Sequence, residues 1–323
     1  MARRIPRRPC RRRHAELPDR ARRPVILVLL RGGELGYEAA AVALRATYHA
    51  GSLGGAGLAF FALLFGHRMV AEDAARLRRW AAGAALLGIA ASLGVLAAQV
   101  GMLMGGETLL DPAAWGILLL SPSGASYGVG AAGLLLVAAL ALGGRWSPLA
   151  AAGGVLTCAS YALLGHTTSL APRPLFAALL LIHLMVAAFW IGSLPPLAWA
   201  ARREGPQAAS LVEGWARIAT LAVPVLAAAG LGLAWWILGD AGQILGSWYG
   251  RALLAKMMLV TALLGFAAWH RFRLTPALAA RLPGAGARLA RSIAAEAVVA
   301  VLVLYAAAEM VSTSPAGIAH RVH

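Results

Sequence analysis

The chain has 323 residues, 60% of them apolar and only 13% charged. Soluble domains carry about 45–50% apolar and about 25% charged residues, so a water-soluble globule is excluded. The formal charge of +16 would suit a nucleic-acid binder, but residues 1–45 hold 12 Arg against Glu16, Asp19, Glu34 and Glu38, and the remaining excess sits in short loops between apolar runs. The expected partner is therefore the lipid bilayer and not nucleic acid. Two cysteines, Cys10 and Cys158, make neither a disulfide framework nor a CxxC pair.

From the N-terminus, residues 1–45 are expected to form a basic tail, read either as an over-extended reading frame or as an Arg-rich arm. Val25–Leu30 is too short for a signal-peptide core or a span. Eight apolar segments of about the 20 residues needed to cross a bilayer follow, at 46–66, 80–103, 125–144, 148–169, 174–199, 215–239, 250–270 and 291–312. They do not alternate as barrel strands would. The predicted fold is all-α, a polytopic bundle of about eight transmembrane helices over residues 46–316, with 317–323 as a short tail. In the first span Gly51 and Gly55 form a GxxxG, the pattern of closely packed helices.

Arginine placement sets orientation. The loops after spans 1, 3, 5 and 7 carry thirteen Arg, against Arg173, Arg251 and Arg321 on the other side. The odd loops are expected inside and both termini outside, although the twelve arginines of the tail oppose that assignment.

Ionisable groups inside spans mark sites or buried pairs. With this orientation His49, His166, His183, Met102 and Met104 all fall in the outer leaflet, from four helices. Imidazole and thioether donors suit copper, especially Cu(I), better than Mg, Ca or Mn. Interfacial placement of the histidines and packing of the methionines are the competing structural readings; mid-span His183 stands out from both. Trp190 lies seven residues after His183 on the same helix face, as a gating aromatic or a packing residue, with Gly192 permitting close approach. Lys256 is closer in depth to Glu309 than to Glu296, so a Lys256–Glu309 pair joining spans 7 and 8 is expected, with participation in ion or proton movement as the alternative. Glu296 lacks an obvious basic partner at its depth, although Arg291 could reach it along the helix. His67 and His270 at the inner ends of spans 1 and 7 read as interfacial residues, with an exit-side relay as the alternative. Neither a Walker loop nor an HExxH is present, and no enzymatic activity is expected.

Several stretches resemble the CopD copper-resistance membrane proteins. Gly165-His166, Pro172, Ile182-His183 and Phe189-Trp190-Ile191-Gly192-Ser193-Leu194 look like that family's GHA…P…LH…xWLGGL pattern. Tyr249-Gly250-Arg251 with Lys256 looks like its YGRxLLxK segment, and Arg291-Ser292 with Glu296, then Ser312–Pro315, resembles its last helix. Thr167 and Ser193 depart from the pattern. The likeness is good from Tyr161 to Pro315, weaker from Tyr48 to Gly144 and absent over the first forty residues.

The resemblance implies an eight-helix bacterial inner-membrane protein of copper uptake or resistance, working with a separate periplasmic copper-binding protein of the CopC type. It carries over His166, His183, Trp190, Gly192, Lys256 and Glu296, and His49 more loosely. Met102 and Met104 rest on the residues alone. Two other readings stay open. His49 or His166 with His183 could ligate haem b in a membrane redox protein, or the chain could deliver copper as an assembly factor without transporting it.

Overall fold

A computed structural model describes residues 24–104, 109–164, 172–238 and 248–312, with side chains over 39–102, 109–164, 172–236 and 250–311. Ten α-helices follow one another, and no strand occurs among the described residues. They are α1 Pro24–Phe65, α2 Ala71–Met104, α3 Pro112–Leu119, α4 Pro122–Ala138, α5 Ser147–Ser160, α6 Arg173–Arg202, α7 Pro206–Leu238, α8 Trp248–Trp269, α9 Thr275–Ala279 and α10 Ala285–Ser312. Seven segments, within α1, α2, α4, α6, α7, α8 and α10, are long and apolar enough to cross a membrane. The protein is an all-α polytopic membrane protein.

The expected fourth pass is shorter than its apolar run. α5 has 14 residues and continues as a 3-10 turn, Tyr161–Leu163. It nevertheless lies antiparallel to α4 along its length. Ser126 Oγ donates to the Ser160 carbonyl at 2.7 Å, Thr157 Oγ1 faces the Gly130 carbonyl at 3.5 Å, and Gly133 meets Gly153 backbone to backbone. Ser126 also caps the last carbonyl of α5. It occupies the Ser160 carbonyl, and the Leu164 N–H turns back to Tyr161. At the N-terminus α1 is one continuous helix across residue 45, the expected limit of the tail.

One end of the bundle is Arg-rich and clasped by polar contacts. Arg203, after α6, makes a fork on Asp73 through Nε and Nη2 at 2.7 and 2.9 Å, and Nη2 reaches Glu72 at 2.7 Å. Asp73 is buried, so this pair compensates a charge withdrawn from water. The two carboxylates hold the Arg203 guanidinium above its ordinary pKa, keeping it charged. Both acids also sit in the first turn of α2, where the helix dipole favours them. Glu204 accepts from the Gly286 N–H at the start of α10, and Gln207 Nε2 donates to the Arg68 carbonyl.

The centre is held by small residues. Gly57 of α1 and Gly192 of α6 meet so closely that a Cβ on either would overlap the other helix's backbone. Gly51 meets Gly88 of α2 in the same manner. Backbone contact of this kind is how small residues bind membrane helices together. Because the obstacle is backbone, Gly192→Ala is expected to cost about 1–3 kcal/mol or more. A thermal unfolding midpoint in detergent equal to that of the unmodified protein would contradict the crossing.

Candidate functional site

Two groups of polar side chains lie on opposite sides of the Gly57–Gly192 crossing. The first is at the end remote from the arginine clasp. His49 is two turns before Gly57 on α1 and only 8% exposed. Its ring lies 5.6 Å from that of Tyr161, and Tyr48 beside it packs on Tyr127 and Tyr161 at 5.0 and 5.5 Å. The backbone of Leu304 on α10 lies near the imidazole. Ser52 Oγ and Tyr161 Oη are 2.7 Å apart, completing a polar and aromatic lining.

His183, on α6, is partly buried and faces α7. Its Nδ1 donates to the Leu226 carbonyl at 3.3 Å, and its ring lies against Gly230. A carbonyl on one ring nitrogen fixes the tautomer and leaves Nε2 with a free lone pair, as in metal-ligating histidines. Lys256 of α8 is within electrostatic reach of both His49 and His183, which places three chemistry-bearing residues from three helices around one region. Arg45, one turn before His49, adds a second positive charge.

Other expected donors are placed differently. Met102, at the end of α2, is exposed. His166 and the side chain of Met104 lie outside the described residues. Among the described residues, no group of three or more His, Cys, Asp or Glu is arranged to hold a metal ion. No ion pair joins Lys256 to Glu309 among the described residues; the Glu309 carboxylate accepts from Tyr305 Oη at 3.2 Å on its own helix.

The second group lies toward the Arg-rich end. Trp190 Nε1 donates to Glu296 Oε1 at 2.7 Å, linking α6 to α10. Glu296 Oε2 makes no hydrogen bond and stands 3.3 Å from His270 Nδ1. His270 Nε2 is 2.8 Å from Ser292 Oγ, one turn before Glu296. Glu296 is 1% exposed and His270 7%. A cavity of about 290 Å³ opens beside them, lined by Trp190, Trp215, Thr220, His270, Arg271 and Glu296 among others. His270 begins a π-helical turn, His270–Leu274, of the kind often found at functional sites.

Sequence reasoning placed His270 at an interface and left Glu296 without a basic partner; the structure brings the two together. The signal was their shared distance from the Arg-rich helix ends, which spacing on either helix alone does not reveal. His67, by contrast, is exposed. One enzyme-like string is present where none is expected. Gly124-Ala125-Ser126-Tyr127-Gly128 fits GxSxG, but it lies inside α4 with Ser126 buried and bonded to Ser160, not on a strand-to-helix elbow.

Trp190→Phe removes the donor from a buried carboxyl and is expected to lower stability by about 1–3 kcal/mol. A double-mutant cycle with Glu296→Gln, read by unfolding in detergent, is expected to show non-additivity. Strict additivity would mean that the pair is not coupled.

Comparison with known proteins gives two matches. The family model of copper resistance protein D matches residues 209–310, and that of the copper resistance protein D-like N-terminal domain matches residues 36–172. The stretch between them, 173–208, contains α6 with His183 and Trp190. No curated protein and no solved structure matches the chain.

Proposed function

Since the chain belongs to the copper resistance protein D family, we propose that it carries copper ions across the bacterial inner membrane, taking them up at His49 and His183. The observation that carries this reading is the two imidazoles on α1 and α6, that of His183 bonded to the Leu226 carbonyl, with Lys256 within electrostatic reach of both. Neutral nitrogen donors bind a soft ion without bringing negative charge into the bilayer. On this reading the tyrosine-lined end faces outward and the arginine clasp faces the cytoplasm, in keeping with the excess of arginine in those loops. His166 and Met104 would belong to the outer approach, and exposed Met102 would offer a first thioether contact. A separate periplasmic copper-binding protein of the CopC type would supply the ion.

Lys256 then acts as a check on occupancy. A positive charge on Lys256, within electrostatic reach of both imidazoles, opposes a resident cation, so copper is held weakly enough to move on. The membrane potential supplies about 2.3 kcal/mol per charge per 100 mV toward the interior. His183→Ala is expected to lower copper flux into proteoliposomes at least about tenfold, which corresponds to about 1.4 kcal/mol. Unchanged flux in a well-inserted variant would remove His183 from the path. Lys256→Met is expected to raise copper affinity about tenfold by removing like-charge repulsion. A fall in affinity would instead make the lysine a ligand or a structural support. The absorption spectrum of the same preparation checks the haem alternative, since a Soret band would contradict copper as the occupant.

A further inference from the structure

We propose that Trp190, Glu296, His270 and Ser292 form a buried proton-holding relay that exchanges one proton with the cytoplasm through the adjoining cavity as copper passes. The relay itself stands on geometry alone; only its coupling to copper rests on the function proposed above.

Three donor–acceptor steps link the four residues in sequence. Trp190 Nε1–H donates to Glu296 Oε1 at 2.7 Å. A proton on Glu296 Oε2 would face His270 Nδ1 at 3.3 Å, and His270 Nε2–H donates to Ser292 Oγ at 2.8 Å. With one proton between Oε2 and Nδ1 the neutral chain is satisfied at every atom. Without it, Glu296 Oε2 is a buried oxygen with no hydrogen-bond partner, the state that a dry interior tolerates least. The proton moves from Glu296 Oε2 to His270 Nδ1, leaving a carboxylate and an imidazolium side by side. His270 then yields it to water in the cavity, and no bond other than to hydrogen forms or breaks.

The donor set favours a proton over copper here. A lone carboxylate and a single imidazole are a poorer match for a soft ion than the paired imidazoles of the outer group. Charged groups around the cavity fit release on the arginine side. Arg271, in the π-helical turn, lines it directly. From α7, Glu213 and Arg217 line an adjoining recess that shares Arg271 and Thr275. α6 contributes Trp190, α9 Thr275 and α10 Glu296 to the cavity wall, so Glu296 and His270 are its titratable pair beside the guanidinium of Arg271.

The test is infrared difference spectroscopy of the full chain in liposomes, titrated from acid to alkaline buffer without copper. A carboxyl carbonyl band that disappears on titration, is missing in Glu296→Gln and moves its midpoint in His270→Asn is expected. Spectra that are identical for Glu296→Gln and the unmodified protein would overturn the relay. If Glu296→Gln does not insert, Ser292→Ala serves instead, with a displaced midpoint expected and an unchanged band overturning the relay. Coupling is read with a pH dye trapped inside the liposomes and Cu(I) added outside. A proton signal that accompanies copper uptake and falls at least fivefold in Glu296→Gln is expected. Copper uptake without any proton signal would overturn the coupling, whereas absence of copper uptake alongside an intact infrared band would strike the proposed function and leave the relay standing.

Discussion

The approach of α1 and α6 at Gly57 and Gly192 is the constraint on which the remaining geometry depends. At this crossing the two backbones touch, and no side chain larger than hydrogen fits between them. The crossing fixes how α1 and α6 are aligned along the bundle. His49, two turns before Gly57, therefore comes to the same region as His183, nine residues before Gly192. It also brings the indole of Trp190 against α10, where Glu296 accepts its hydrogen bond. Small residues here do what apolar burial does in soluble proteins, because lipid competes equally for any large apolar side chain.

On either side of the crossing the chemistry differs. The remote end offers imidazoles, tyrosines and cationic side chains, with a backbone carbonyl orienting the His183 ring. The Arg-rich side offers a carboxyl and an imidazole in contact beside a cavity. Ionisable groups inside a membrane persist only where a partner or a function holds them. Glu296 has such partners in Trp190 and His270, while Arg203 with Asp73 shows the purely structural form of the same rule at the membrane edge.

Much of the fold was legible because spans of apolar residues have few alternatives in a bilayer. The helices, their order and the GxxxG contact follow from length and small-residue spacing. Exceptions were α1, which runs through the expected tail limit, and α5, whose apolar run continues beyond Ser160 where the helix gives way to a 3-10 turn. The site was legible only in part. His183 and Glu296 stood out through the cost of burying them, a property of one residue at one depth. The approach of Glu296 to His270 was not legible, because it depends on which helices touch. Lys256 illustrates the same limit, since depth pointed to Glu309 and the structure leaves it within electrostatic reach of the two histidines.

The most direct measurement is X-ray absorption at the copper edge on the full-length protein in lipid, loaded with one equivalent of Cu(I). A first coordination sphere of nitrogen with the multiple-scattering pattern of two imidazoles is expected, reduced to one when His49 is replaced. A sphere of sulfur alone would assign the ion to the methionines and contradict a histidine-lined path between α1 and α6.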